Sequence, residues 1–253
     1  SLTLTGGRFD DITLAQYRDT LAANSPEVVL FSPAAAAKPY YAEIGWLSSD
    51  QGAALPTAAT VWTAQTPDAQ LTDTTPVVLT WDNGQGLKFT RTIKVDREYL
   101  FTIEQSVENT GEKPVTLFPY SLIARLDNPA EKATYISHEG PIGVFNGTSL
   151  EKKYADVKKA GRIPADSTGG WLGMTDKYWL VAVMPAQSEK IQGTFQRNVR
   201  GAAELYQADF LGDAHAVAPG QAVAFESRVF AGAKRLDLLN AYRDNLDIPR
   251  FDF

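Results

Sequence analysis

The chain has 253 residues, of which 44% are hydrophobic and 11% aromatic, which is enough for a substantial core and unlike a disordered chain. The formal net charge of -6 argues against a nucleic-acid ligand and against polybasic attachment to a membrane surface, because both need clustered Lys and Arg. The absence of cysteine excludes disulfides, thiolate metal sites and thiol catalysis, and with only two histidines, His138 and His215, a multi-histidine metal centre is not expected.

The two ends of the sequence carry an expectation of their own. The chain begins without Met in the alternating Leu2-Thr3-Leu4-Thr5 and stops at an apolar, aromatic segment, residues 248–253. We therefore expect both ends to be cut from a longer protein, with trimmed termini of a mature protein as the alternative. No signal peptide and no apolar run long enough for a membrane span is present, which predicts a soluble chain.

The first predicted element is a short helix near the N-terminus. Thr13 is placed to cap it, and Leu14, Tyr17 and Leu21 lie on one helical face. The preceding acidic pair, residues 10–11, supplies negative charge at a helix start, although a metal site or a general base is the functional alternative.

Strand signals dominate the rest of the chain. The turn Trp81-Asp82-Asn83-Gly84 predicts a hairpin, because Asn and Gly accept positive φ. Further turns at residues 96–98 and 109–112 separate three long strands, which we expect to form a meander within a large antiparallel sheet. The predicted strands are residues 40–47, 77–80, 87–95, 99–108, 114–125, 171–174, 178–184, 190–195, 203–211 and 222–230.

Two more helices are predicted. Thr148 and Glu151 have capping-box spacing, and Leu150, Tyr154 and Val157 line one face before Gly161. Near the C-terminus an amphipathic helix ends at Pro249 and carries an apolar stripe at i, i+4 and i+8, formed by Leu238, Tyr242 and Leu246. Residues 34–37, 51–60 and 66–75 are predicted loops. With no repeat and no low-complexity linker, residues 1–253 are predicted to form one domain.

No convergent catalytic set emerges. Ser137-His138-Glu139-Gly140 places an imidazole beside a carboxylate, but adjacent residues on an extended strand point to opposite faces. The glycines of residues 169–173 lead into a strand rather than a phosphate-binding helix. Residues 82–84 lack the later ligands of a calcium loop. We therefore predict no catalytic residue, no metal and no cofactor.

Several stretches of the chain resemble, in the same order, the motifs of one protein family. They are Gly6-Gly7-Arg8-Phe9-Asp10-Asp11-Ile12 and residues 40–47, 81–107, 137–143, 230–234 and 248–252. The most specific stretch is Gly169-Gly170-Trp171-Leu172-Gly173-Met174-Thr175-Asp176-Lys177-Tyr178-Trp179-Leu180. Together they cover essentially the whole chain and resemble the periplasmic domain of YidC membrane-protein insertases of Gram-negative bacteria.

The resemblance implies a mainly β fold, a β-supersandwich similar to galactose mutarotases, with a few short helices. It also implies a periplasmic location as part of an inner-membrane protein. In such a protein, residues 229–253 lead into a transmembrane core that inserts nascent membrane proteins, alone or with the Sec translocon and its subunits SecD and SecF. The insertion groove of the family belongs to that core, so no residue of this chain is assigned to it.

Three functional hypotheses are open. The first is a non-catalytic module that binds partners and positions the membrane core through residues of its C-terminal segment, namely Leu238, Tyr242, Leu246 and Phe251. The second is a sugar-processing or sugar-binding domain, suggested only by the fold relationship; two histidines about 77 positions apart leave little material for acid–base chemistry. The third is a chaperone-like groove for extended apolar or sugar-like ligands, lined by Trp46, Trp62, Trp81, Trp171 and Trp179; the same tryptophans are also typical of core packing.

Overall fold

The computed structural model describes residues 3–22, 24–126, 138–200 and 203–252. In chain order the elements are β1 (Ile12–Arg18), β2 (Glu27–Phe31), β3 (Tyr40–Ser48), β4 (Thr63–Ala64), β5 (Val77–Asp82), β6 (Leu87–Val95), β7 (Leu100–Asn109), β8 (Val115–Leu126), β9 (Gly140–Phe145), β10 (Thr148–Glu151), α1 (Tyr154–Ala160), β11 (Arg162–Thr168), β12 (Trp171–Thr175), β13 (Trp179–Pro185), β14 (Lys190–Arg200), β15 (Ala203–Gly212), β16 (His215–Val217), β17 (Ala222–Ala233) and α2 (Leu236–Leu246).

Two antiparallel sheets form the architecture. A nine-stranded sheet has the order β10-β9-β12-β13-β17-β7-β6-β5-β4. A six-stranded sheet has the order β11-β14-β15-β8-β16, with β3 paired to the other side of β8. The strands β1 and β2 make a separate hairpin. The predicted β-sandwich class is therefore confirmed.

The alternation of side chains along each strand explains how the sheets pack. On β13, Val181 and Val183 belong to the main core between the sheets, whereas Leu180, Ala182 and Met184 face the opposite side and join a second cluster with α2. This strand is buried on both faces, which is why its sequence is a continuous apolar run rather than an alternating one.

The predicted N-terminal helix is wrong, because residues 12–18 form β1. Ile12 and Leu14 are buried and alternate with exposed residues, and β1 pairs with β2, which the sequence patterns do not indicate. The spacing of Leu14, Tyr17 and Leu21 fits a helix, but Leu21 is fully exposed and takes no part in an apolar face. The segment also fits the two-residue period of a strand, and pairing with β2 selects the strand; the spacing of apolar residues in the sequence does not show this pairing.

The predicted meander is correct for β6 and β7 but wrong for its third strand. After Asn109 the chain crosses to the other sheet, where β8 pairs with β3, β15 and β16. The Asn109 side chain stabilises this crossing by donating to the carbonyls of Lys113 at 2.8 Å and Val217 at 2.9 Å. The hairpin turn between β5 and β6 is confirmed, with Gly84 at a φ of 67°.

The capping box at Thr148 and Glu151 is also wrong, since both residues lie in β10. The helix α1 begins later, at Tyr154, and the Asp156 carboxylate accepts a hydrogen bond from the Lys153 backbone N–H at 3.1 Å. Its buried residues are Tyr154 and Val157, and it ends at Gly161, as predicted. Neither helix of the described residues is long and apolar enough to span a bilayer.

Candidate functional site

The outer face of the nine-stranded sheet is covered by α2 and by residues 247–252. We call this packed region the C-terminal cluster. Its buried residues are Leu100, Ile142, Val144, Trp171, Leu180, Ala182, Met184, Phe230, Leu239, Tyr242, Ile248 and Phe251. The β-strands provide one apolar surface, and the helix and the chain after it provide the other.

Within the C-terminal cluster, the four predicted site residues separate into two groups. Tyr242 and Phe251 are buried, with Phe251 fully inaccessible. Leu238 and Leu246 are only partly buried at the edge of the cluster, so each retains an exposed portion. Tyr242 and Phe251 thus anchor the helix, whereas Leu238 and Leu246 border the surface.

Sequence reasoning missed Leu239 and Ile248, which are buried to 1% and 0% exposure. Leu239, Tyr242 and Leu246 have i, i+3 and i+7 spacing, so the helical period contained the signal for Leu239. Ile248 comes after the end of the helix, where no periodicity applies. Its position depends on a chain reversal that only the tertiary structure shows.

The chain reverses direction after α2 and returns to the sheet. Asp247 and Arg250 both adopt positive φ, at 52° and 48°. The indole Nε1 of Trp171 donates to the Pro249 carbonyl at 3.0 Å, which fixes the returning backbone. An ion pair between Arg243 and Asp252 closes the same segment on its outer side.

Aromatic rings fill the interior of the C-terminal cluster. The Phe251 ring meets Trp171 edge to face at 5.2 Å between centroids and Phe230 at 5.7 Å. Phe230 also contacts Tyr242 at 5.9 Å. Edge-to-face pairs of this kind contribute about 0.5–1.5 kcal/mol each beyond the area they bury.

The turn between β6 and β7 contacts α2 at Tyr242 and the residue just before the helix. The Tyr242 hydroxyl donates to the Asp96 carboxylate, which also accepts from the backbone N–H groups of Glu98 and Leu100 at 2.9 Å. Burial, and after it this hydrogen bond, raises the pKa of Tyr242 above its ordinary value. Arg235, just before the helix, pairs with Glu98 at 3.1 Å. The helix is therefore fixed by polar contacts as well as by apolar ones.

Comparison with known proteins decides the family. The family model of the YidC periplasmic domain matches residues 1–250. The chain belongs to the YidC periplasmic domain family. A membrane protein insertase YidC from Methylobacterium sp. (strain 4-46) is 47% identical over 262 residues, covering 100% of this chain and 42% of that protein. A YidC from Rhizobium etli (strain CIAT 652) is 45% identical over 253 residues, with coverage of 100% and 42%. The chain thus spans about two fifths of these relatives.

A solved structure shows the same fold at low sequence identity. A galactose mutarotase-like protein from Lactobacillus casei ATCC 334 superposes with a TM-score of 0.57 and 10% identity, covering 91% of this chain and 95% of that chain. The mutarotase-like sandwich predicted for the YidC periplasmic domain is therefore confirmed as a fold. At this identity the likeness concerns the fold alone.

Three charged residues of the YidC periplasmic motifs, Arg8, Asp10 and Asp176, have partners inside the fold. Arg8 pairs with Glu43 at 2.7 Å, and Arg125 pairs with Asp176 at 2.8 Å. Asp10 is buried and accepts a hydrogen bond from the Thr3 hydroxyl at 2.8 Å. The Arg8–Glu43 and Arg125–Asp176 pairs join segments far apart in the chain, so these motif residues stabilise the fold.

The histidine of the motif lies beside a backbone carbonyl and a carboxylate from β10. The His138 Nε2 lies 3.1 Å from the Pro141 carbonyl oxygen, and its Nδ1 is 3.9 Å from a Glu151 carboxylate oxygen. Ser137 lies outside the described residues. Within the described parts of the chain, no group of three or more His, Cys, Asp or Glu side chains is arranged to hold a metal ion.

The tryptophans do not line a common groove. Trp46, Trp62 and Trp171 are at most 3% exposed, whereas Trp81 and Trp179 are partly buried. The Trp62 ring packs against the guanidinium of Arg91, 4.7 Å from its centroid.

Arg91 is itself 2% exposed and donates to the carbonyls of Gly7 and Ile44, both at 2.6 Å. Burial lowers the pKa of Arg91 to about 10, so this interior cation stays protonated at neutral pH. It ties the N-terminal segment to β3 and β6.

An apolar cleft of about 660 Å³ opens beside the N-terminal segment. Its lining includes Leu4, Phe9, Ile12, Leu71, Val77, Val95, Tyr99 and Phe101, together with the carboxylates of Asp11, Asp68 and Asp96. The cleft is distinct from the C-terminal cluster, although Asp96 takes part in both. Its chemistry suits an extended apolar segment without negative charge.

Proposed function

We propose that the chain is the non-catalytic periplasmic domain of an inner-membrane protein insertase and positions the membrane-embedded part through its C-terminal cluster. The observation that carries this proposal is the docking of α2 and residues 247–252 on the outer face of the nine-stranded sheet. The residues of this segment are held by buried apolar contacts and by the bond from Trp171 to Pro249.

Rigid docking matters because the proposed full-length protein attaches its membrane-embedded part to this segment. By its family resemblance, the chain continues from Phe253 into the transmembrane core. Burial of Leu239, Ile248 and Phe251 contributes about 1.5–3 kcal/mol each toward docking. A segment held in this way transmits the orientation of the sandwich to the core, whereas a flexible linker would not.

Partner binding is assigned to the exposed side of α2. Leu236 is 62% exposed, and Leu238 and Leu246 are partly exposed. We propose that this side meets accessory subunits of the Sec translocon, with SecD and SecF as the expected partners, and that nascent membrane proteins are the clients. The net charge of -6 supports a role without nucleic acid.

The test uses the full-length insertase in cells depleted of the native protein. Leu238, Tyr242 and Leu246 are replaced together by Ala, and His138→Ala serves as the matched control. Insertion of a dependent client should fall in the triple variant and stay near wild type in the control. An equal or greater loss from His138→Ala would refute the positioning role.

The apolar cleft supports a second candidate function, a chaperone-like groove for extended apolar segments. The supporting observation is its size and lining, with apolar walls and an acidic rim. A photo-crosslinker at Leu71, inside the cleft, should capture a nascent apolar segment. The control position is Val199, which is 60% exposed on β14. Equal capture at both positions would argue against the groove.

A further inference from the structure

The outer face of the six-stranded sheet carries a row of polar side chains beside a cleft, whereas the outer face of the nine-stranded sheet is covered by the C-terminal cluster. The register places Thr194 opposite Asp209, and Asp209 opposite Leu122. Gln196 lies opposite Gln207 in the same row of outward-facing residues. These side chains border a cleft of about 370 Å³, whose other lining residues include Leu47, Tyr120, Arg162, Gln192 and Leu211.

The carboxylate of Asp209 belongs to the lining of this cleft. Its Oδ2 accepts hydrogen bonds from the side-chain amides of Gln196 and Gln207, both at 2.9 Å. Neutral amides therefore hold this carboxylate in place. A carboxylate offers about four acceptor positions, so two amide bonds leave capacity for a ligand's hydroxyl groups.

Burial is the largest influence on the pKa of Asp209 and raises it above the ordinary value, although the two amides and Arg162 oppose the shift. Carboxylates that are partly desolvated and held by polar partners are frequent in ligand-binding clefts.

A flat aromatic surface lies beside the polar groups. Tyr120 is paired with Gly45 on the neighbouring strand, and its ring lies over that glycine. A Cβ at position 45 would approach the ring carbon Cε1 to 2.8 Å, so the ring needs a residue without a side chain beneath it. The Tyr120 hydroxyl donates to Glu43 at 2.7 Å, which holds the ring against the sheet.

The charge and the hydrogen-bonding groups of the lining residues indicate which class of ligand fits the cleft. Its ionisable groups include one acid, Asp209, and one strong base, Arg162, so the site is close to neutral. Amide, hydroxyl, carboxylate and guanidinium groups can donate to and accept from a ligand rich in hydroxyls. The Tyr120 ring and the flanking leucines offer an apolar surface to the C–H face of a pyranose ring. The volume is at the lower end of the range for small-ligand sites.

We infer that the outer face of the six-stranded sheet, around Tyr120, Gln196, Gln207 and Asp209, is a binding site for a small neutral saccharide. The site binds without turnover, because the described residues that line the cleft include a single carboxylate and no histidine to share acid–base work. This inference goes beyond the positioning role, which rests on the opposite sheet.

The experiment is an NMR titration of the ¹⁵N-labelled 253-residue chain with galactose, N-acetylglucosamine and lactose, and with glycerol as a non-specific hydroxyl control. The side-chain amide signals of Gln192, Gln196 and Gln207 report on the cleft directly. At least one sugar should shift them saturably with a Kd of about 1 mM or tighter, and glycerol should not.

Three variants make the result specific. Asp209→Asn and Gln192→Ala should each weaken the affinity about tenfold or more. Gln70→Ala, an exposed change at the apolar cleft, should leave it unchanged. A dispersed spectrum like that of the wild type confirms folding of each variant.

The inference is overturned if no sugar gives a saturable shift well above the expected Kd, or if Asp209→Asn binds as tightly as the wild type. It is also overturned if shifts map to the apolar cleft instead. A shift of the same amides by an extended Gln- and Ser-rich peptide, with no response to sugars, would assign the face to peptides. None of these outcomes affects the client-insertion test of the C-terminal cluster.

Discussion

Replacement of Phe251 by Ala should release the C-terminal segment from the sheet without unfolding the sandwich. Phe251 is fully inaccessible and packs between Trp171 and Phe230. Its removal would leave a cavity lined by aromatic rings and take away an apolar contact that holds residues 247–252 against the sheet. The positioning role depends on this contact.

The magnitude can be worked out from the burial. Loss of a buried Phe side chain to Ala costs about 3–5 kcal/mol in protein cores. Phe251 lies near the end of the described chain, so the segment can undock locally and the cost appears mainly as lost protection there. We expect amide exchange at Ile248, whose N–H bonds the Arg243 carbonyl at 3.2 Å, to accelerate by about two orders of magnitude or more.

The assay is hydrogen exchange on the 253-residue chain, combined with thermal unfolding and client insertion by the full-length protein. Amides of β13 should retain their protection, since both faces of that strand keep most of their contacts. The control Val199→Ala removes a side chain that is 60% exposed on β14 and should stay within about 0.5 kcal/mol of wild type.

Two results would refute the reasoning. Unchanged exchange at Ile248 in Phe251→Ala would show that the aromatic contacts do not hold the segment. Rapid exchange at Ile248 together with normal client insertion would show that docking is real but does not serve positioning.

Three further predictions concern the interior. Gly173→Ala would place a Cβ 2.0 Å from a backbone oxygen of β13 and should lower the free energy of unfolding in urea by more than about 3 kcal/mol. The control Gly84→Ala meets nothing within 4 Å but has positive φ, so it should lower that free energy by only about 1–2 kcal/mol. Similar losses in the two variants would show that close packing at Gly173 is not what limits substitution. Arg91→Met should lower the free energy of unfolding by about 2–4 kcal/mol, because the buried carbonyls of Gly7 and Ile44 lose their hydrogen-bond donor. An unchanged urea midpoint would contradict this prediction and show that removal of the buried charge compensates for the lost hydrogen bonds. Burial raises the pKa of Tyr154 to about 12 and also raises the pKa of Tyr242. The contribution of these two protonated hydroxyls to the unfolding free energy is therefore complete below the ordinary pKa of 10.0 and is lost as pH rises through the pKa values of the folded state. Tyr242→Phe should make this alkaline decrease in unfolding free energy shallower, and a pH slope identical to that of the wild type would contradict the prediction.

The sequence contains enough local information to predict most of the strands. Turns such as Asn83-Gly84 need positive φ, and strands such as β6 alternate buried and exposed residues with a period of two. Both signals arise within a few residues and do not depend on distant partners. The family motifs likewise lie along the chain in order, which is why the mutarotase-like fold can be expected from the sequence alone.

The failures share one physical origin, which is dependence on a distant partner. Residues 12–18 fit a helical spacing, but pairing with β2 makes them a strand. The strand after Asn109 looks like the next member of a meander, but the bond from that side chain to Val217 directs it to the other sheet.

For the candidate site too, one part could be predicted from the sequence and another depended on the tertiary structure. The helical period of α2 predicts which of its residues are apolar, and both Tyr242 and Phe251 can be selected from sequence. Whether those residues face a partner or their own sheet is decided by the outer face of the nine-stranded sheet and by the chain reversal at Asp247.

For this protein, the sequence by itself determined the β class, the turns and the amphipathic C-terminal helix, because these depend on backbone preference and residue period. Only the tertiary structure decided which sheet each strand joins and which surface remains open, because these depend on contacts between segments far apart in the chain.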